Sequence, residues 1–240
     1  MRVLPQRLIM SSLLSLLLSA CSNPPYPRGS VEKLYPLSER PTLSVQDVAG
    51  HQLQIASMGG SGQTPLLFIH GSPGDWKAWA HYLESPELAG FSPRIAIDRP
   101  GFGGSEPGQV MPDLRAQAAL IAELIPPGPP AVIVGHSLGG PLLAWLAPDE
   151  MLWSNREILV LQQELQRLKP EWSRLRRPLV IVQGERDELV DPRTADYAEQ
   201  VIPSAYRRIV RIADQGHFIL WKQPETVIAA IKSLPCETPR

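Results

Sequence analysis

Short apolar runs, most of them closed by glycine, histidine or aspartate, alternate along this chain with segments of helical spacing. Leu66–Ile69 ends at His70-Gly71, Arg94–Ile97 at Asp98, Ala131–Val134 at Gly135, and Leu179–Val182 is followed by Gly184. A further run, Arg208–Ile212, lies just ahead of His217. Between them, Leu114–Leu124, Leu138–Leu146 and Thr194–Val201 carry apolar residues at helical spacing, and Pro224–Leu234 follows with proline at its first position. Thr42–Val48 and His51–Met58 flank Ala49-Gly50 and read as an antiparallel hairpin. This alternation predicts an α/β chain, with a mostly parallel twisted sheet and helices on both faces. In such a sheet ligands bind beyond the carboxyl ends of the strands. The reactive side chains of this sequence collect at those ends.

Composition narrows the class. Of 240 residues, 43% are apolar and 20% charged, which suits one globular domain and excludes a disordered chain. The net charge of −1, with basic residues scattered, argues against a nucleic-acid partner. Two cysteines, Cys21 and Cys236, cannot make a disulfide scaffold. The 26 prolines, about twice the usual share, punctuate many short elements.

The first 20 residues read as an address. Arg2 and Arg7 precede an apolar stretch, Leu8–Leu18, that is short for a membrane span, and small residues follow. The plainer alternative is a buried N-terminal helix. The ending Leu18-Ser19-Ala20-Cys21 resembles the lipobox of bacterial lipoproteins. The resemblance implies cleavage before Cys21, lipidation of Cys21, and a chain held at the bacterial cell envelope by its N-terminal lipid. Ser22 in place of Asp resembles lipoproteins of the outer membrane, on its periplasmic face, rather than the inner. Residues 21–41, with Pro24, Pro25, Pro27, Pro36 and Pro41, then form a linker, and 42–240 the folded domain.

Gly135-His136-Ser137-Leu138-Gly139-Gly140 sits between a predicted strand and a predicted helix. That is the context of a G-x-S-x-G nucleophile elbow, in which a tight turn lifts the serine hydroxyl above the sheet. The bland reading is a serine that caps a helix. A serine hydroxyl needs a base, and His217 in Gln215-Gly216-His217-Phe218 is the candidate. A carboxylate must orient that base; Asp187 in Gly184-Glu185-Arg186-Asp187 is the choice, with Asp191 in reserve. Asp214 lies too close in sequence to His217 to be preferred. His51 and His81 read as surface or packing residues, and His136 as a residue lining the site. The backbone N–H groups of Ser72, in His70-Gly71-Ser72-Pro73-Gly74, and of Leu138 are the candidate oxyanion donors; Pro73 has no N–H to offer. Asp98–Ser105 is glycine-rich but lacks the Gly-Lys-Ser/Thr of a phosphate loop, and reads as support beneath the site, with Phe102 near the pocket.

Taken in order, HGSPG, DRPGFGGS, GHSLGG, GERDELV and GQGHF resemble the alpha/beta-hydrolase superfamily over roughly Thr42–Leu234. The resemblance implies a Ser137–Asp187–His217 triad, no metal and no organic cofactor. Serine at 137 sets the chain apart from members that use an aspartate nucleophile. It leaves acyl transfer to water on a small-molecule acyl substrate: esterase or lipase first, then thioesterase, amidase or peptidase.

Only 50 positions separate Ser137 from Asp187. Members of the family normally place a helix, a sixth strand, a lid and another helix there. Ser154 and Glu157 form a capping box, and Ile158, Leu161, Leu165 and Leu168 share one helical face, so helix is favoured over a strand at Ile158–Leu161. The expectation is a minimal lid and a missing sixth strand, with the Leu179 strand either pairing directly with the Ala131 strand or leaving a gap. Two functions follow. One is a serine hydrolase working through an acyl-enzyme. The other is a shortened lipoprotein of the same fold, catalytically impaired, that serves as a binding module. Trp76, Trp79, Trp145 and Trp153 offer an apolar wall to either, although packing in the core is their simpler use.

Overall fold

The computed structural model describes residues 40–105, 111, 113–140, 142 and 172–234. The signal segment, Cys21, most of the linker, Trp145, Trp153, Cys236, and residues 143–171 with the expected lid and the disputed strand all lie outside the described residues.

Strands β1 (Thr42–Val48) and β2 (His51–Met58) form the expected hairpin, paired antiparallel from Thr42↔Ser57 to Val48↔His51. Ala49 and Gly50 turn it with φ of 50° and 84°. Two consecutive positive φ values match the right-handed twist of the flanking strands, and Asp47 Oδ1 accepts the Gly50 N–H. The sheet continues through β4 (Arg94–Ile97), β3 (Leu66–Ile69) and β5 (Val132–Gly135), in the order β1-β2-β4-β3-β5. β3 runs parallel to both its neighbours. Ile69 lies opposite both Ile97 and Gly135, so the residues that follow, His70, Asp98 and His136, emerge on one rim.

β3 is buried on both faces, which is why it reads as a continuous apolar run. On one side Leu67 and Ile69 join Ile95, Ile97, Leu53 and the buried Leu114, Ala118 and Ile121 of helix α2 (Leu114–Glu123). Asp113 caps α2 by accepting the Ala116 N–H. On the other side Phe68 stacks on Trp79 at 4.9 Å and meets Tyr82 of helix α1 (Ala80–Glu84). Trp76 and Trp79 are buried, so packing rather than a substrate wall is their place.

β6 (Leu179–Gly184) and β7 (Arg207–Ile212) pair in parallel, from Leu179↔Arg207 to Gly184↔Ile212. Helix α3 (Arg193–Val201) connects them, and α4 (Ile219–Lys222) and α5 (Pro224–Lys232) follow β7. Pro224 opens α5 as expected, and α5 buries Val227, Ile228, Ala230 and Ile231. Among the described residues β6 pairs with β7 and not with β5, so direct pairing of β5 with β6 is not what this fold does.

Candidate active site

Ser137 follows β5 directly after His136 and holds φ at 54°, the left-handed region that side chains avoid. Such a conformation costs about 1–3 kcal/mol and persists only where the surroundings impose it. The surroundings are close backbone crossings. A Cβ on Gly135 would meet the Gly139 carbonyl oxygen at 2.3 Å, and a Cβ on Gly139 would meet the Ile69 carbonyl oxygen at 2.4 Å. Both motif glycines are therefore required by space. The turn closes with the Gly139 N–H donating to the His136 carbonyl and the Gly140 N–H to the Ser137 carbonyl. Gly139, Gly140 and Leu142 are helical, so Ser137 stands just ahead of a helix N-terminus.

The His70–Gly74 loop lies against this elbow. A Cβ on Gly71 would come within 2.8 Å of the Ser137 Cβ and 3.1 Å of the His136 carbonyl oxygen. Ser72 and Leu138, whose amides were singled out as oxyanion donors, thus follow two backbone segments in contact.

His217 lies in the loop between β7 and α4, and its Nδ1 stands 2.9 Å from Asp187 Oδ2. The other carboxylate oxygen, Oδ1, accepts the N–H groups of Leu189 and Val190 at 2.9 and 2.8 Å. Burial pushes the Asp187 carboxyl up, but the Val190 amide, His217 and the Leu189 amide outweigh it and hold the group below its ordinary value. The side chains of His217 and Asp187 are 11% and 6% exposed. The reserve acid, Asp191, is instead tied to Arg193 at the surface, and Asp214 pairs with Arg186 in solvent. The acid bonded to His217 is Asp187.

His136 connects the two halves of the site. Its Nε2 is 3.1 Å from the His217 carbonyl oxygen, its ring lies 4.8 Å from the His217 ring, and Trp221 meets it edge-on.

Beneath the elbow lies a buried polar cluster that local sequence reasoning did not assemble. Asp98 accepts from the Trp76 and Gly104 amides at 2.6 and 2.8 Å and from Gln54 Nε2 at 2.9 Å. Burial raises its pKa to about 6, against the pull of those amides. His70 Nδ1 donates to the Gly71 carbonyl and its Nε2 accepts the Arg99 N–H, which fixes the tautomer. Burial first, then the Arg99 charge, lowers the His70 pKa to about 3, so the ring is neutral. The fully buried Arg99 guanidinium also donates to the Gly71 carbonyl and to Gln117 Oε1, and covers the Phe102 ring at 4.6 Å. Phe102 is committed to Arg99 and His70, and the Asp98–Ser105 loop supports the segment that touches Ser137.

Residues 66–161 match the alpha/beta hydrolase family model. A crystal structure of a membrane phospholipase A superimposes with a TM-score of 0.68 at 18% identity, covering 95% of this chain and 97% of that one. The chain has the alpha/beta-hydrolase fold. A thioesterase domain from the curacin biosynthetic pathway shares that fold with a TM-score of 0.63 at 15% identity, covering 81% of this chain and 100% of that one. Identities this low carry the alpha/beta-hydrolase fold alone. By sequence, 105 residues are 37% identical to the dihydrolipoyllysine-residue acetyltransferase component of an acetoin cleaving system from Cupriavidus necator. That match takes 43% of this chain and 27% of the relative, so the chain spans well under half of the curated protein it matches. Among the described residues, no three His, Cys, Asp or Glu side chains gather as a metal ion would require.

Proposed function

We propose that the protein is a serine hydrolase that cleaves a carboxylic ester or related acyl substrate through an acyl-enzyme. The hydrogen bond between His217 and Asp187 carries the reading, because it leaves the opposite ring nitrogen, Nε2, as the one to serve a nucleophile. In this scheme Ser137 Oγ attacks the acyl carbonyl carbon while its proton passes to His217 Nε2. The carbonyl π pair moves onto oxygen, and the Ser72 and Leu138 amides hold that charge. Collapse of the intermediate breaks the bond to the leaving group, which departs with the proton from His217. Water then repeats the cycle on the acyl-serine and restores the enzyme. Asp187 keeps Nδ1–H aimed and balances the imidazolium charge. The strained elbow and the contact of Gly71 with Ser137 support the assignment.

The fold neighbours include a phospholipase, a thioesterase and a haloalkane dehalogenase, so they support a hydrolase fold, and the acyl chemistry rests on the His217–Asp187 bond and the serine at 137. Cys21 would carry the lipid and hold the enzyme at the cell envelope, on the periplasmic face of the outer membrane. Metabolic labelling with a fatty acid, lost in Cys21→Ala, tests the anchor. For the chemistry, a fluorophosphonate probe is applied to the full chain in detergent, beside Ser137→Ala. Labelling that depends on Ser137 supports the enzyme; a folded protein that stays unlabelled favours the binding module.

A further inference from the structure

Among the described residues the two halves of the proposed catalytic machinery follow strands of different sheets: Ser137 follows β5, while Asp187 and His217 follow β6 and β7. No described backbone pairing joins β5 to β6. A side-chain contact that reaches from one of these strand sets to the other bears directly on the placement of the base over the nucleophile. His136 makes such a contact. A carbonyl oxygen only accepts, so the bond to the His217 carbonyl puts the hydrogen on His136 Nε2. The opposite nitrogen faces Gly71, where an added Cβ would stand 3.4 Å from Nδ1. The ring is thus wedged between the loop that touches Ser137 and the residue that serves as base, with the Trp221 ring edge-on against it.

We propose that His136 is a positioning residue for His217, gripping its backbone carbonyl and ring so that the base is held in register with the elbow. The proposal rests on the serine-hydrolase reading. Neutrality suits the role. Burial lowers the His136 pKa to about 4; the bond to the His217 carbonyl raises it and the nearby His217 charge lowers it further. A neutral ring beside His217 places no second positive charge next to the imidazolium that forms during turnover.

Two variants separate positioning from packing. His136→Leu keeps an apolar body of similar reach without a donor, whereas His136→Gln keeps an amide N–H that can reach the same carbonyl. The full chain in detergent is followed by its fluorophosphonate labelling rate and by kcat and KM on a p-nitrophenyl ester. A displacement of about 1 Å costs on the order of 100-fold. His136→Leu should therefore lose about 10- to 100-fold in labelling rate and kcat with KM nearly unchanged, and His136→Gln should recover most of it. If the two variants behave alike, whether both active or both impaired, the proposal is overturned. Imidazole nitrogen spectra in a Ser137→Ala background give a reading without turnover. His217 should show one sharp environment, and His136→Leu should broaden or split it; an unchanged His217 signal overturns the proposal. If wild-type protein takes no label, the hydrolase reading fails, and the spectra still decide whether His136 holds His217.

Discussion

Gly71 and Ser137 touch so closely that the nucleophile candidate leaves no room for a methyl group on its neighbour: an added Cβ would stand 2.8 Å from the Ser137 Cβ. Neither that atom nor the His136 carbonyl oxygen, at 3.1 Å, is the free end of a flexible chain. Gly71→Ala must therefore push the loop away from the elbow. The Ser72 amide, the proposed oxyanion donor, would move with it, and overpacking of this kind costs about 1–3 kcal/mol. Ser137 labelling should slow by about 100-fold while urea unfolding shows a loss within that range.

Relief of strain should act the other way on stability. Ser137 pays for φ of 54° with a side chain that glycine lacks. Ser137→Gly should abolish labelling and raise stability by about 1 kcal/mol, read as a higher urea midpoint with an unchanged slope. Ser137→Ala, which keeps a Cβ, should abolish labelling without that gain.

The two carboxylates weighed as the partner of His217, Asp187 and Asp191, should separate cleanly. Asp187→Asn keeps the size of the group but removes the charge that fixes the His217 tautomer, and activity should fall by about 10³- to 10⁴-fold. Asp191 is tied to Arg193 at the surface, and Asp191→Asn should leave the rate within about twofold. Ester hydrolysis by the two variants, side by side, checks the assignment.

Much of this architecture is legible in the amino-acid sequence. Leu66–Ile69 and Arg94–Ile97 are strands from end to end, and burial writes Leu66–Ile69 and Ile95–Ile97 as unbroken apolar runs. The β1–β2 hairpin was legible because Gly50 supplies a turn between alternating segments. α1, five residues long, and α4, four residues long, were missed, since neither completes enough turns to show a period. The triad candidates each sit in a local glycine-containing motif. The support beneath them does not: Arg99 reaches Gly71 and His70 across 28 and 29 positions, and a fully buried arginine runs against the habit of its residue type. His136 was visible as a member of the elbow, but its grip on His217 spans 81 positions and only the fold creates it.

Acid should loosen this cluster. His70 and His136 have folded pKa values of about 3 and about 4, below the ordinary 6.5. The unfolded chain therefore binds their protons first, and stability falls as pH drops below 6.5. Asp98, raised to about 6, works in the opposite sense and recovers stability below that pH. Between pH 6 and 4 two losses meet one gain, a net of one proton taken up on unfolding, or about 1 kcal/mol per pH unit. Urea midpoints should fall steadily over that window, and His136→Gln should flatten the slope.

The most direct measurement is the site of covalent capture. The full chain, treated with a fluorophosphonate and digested, is searched by mass spectrometry for the modified peptide. One adduct is expected, on Ser137, absent from Ser137→Ala and slowed by Asp187→Asn. A folded wild-type protein that takes no adduct, or takes it on another residue, would contradict it.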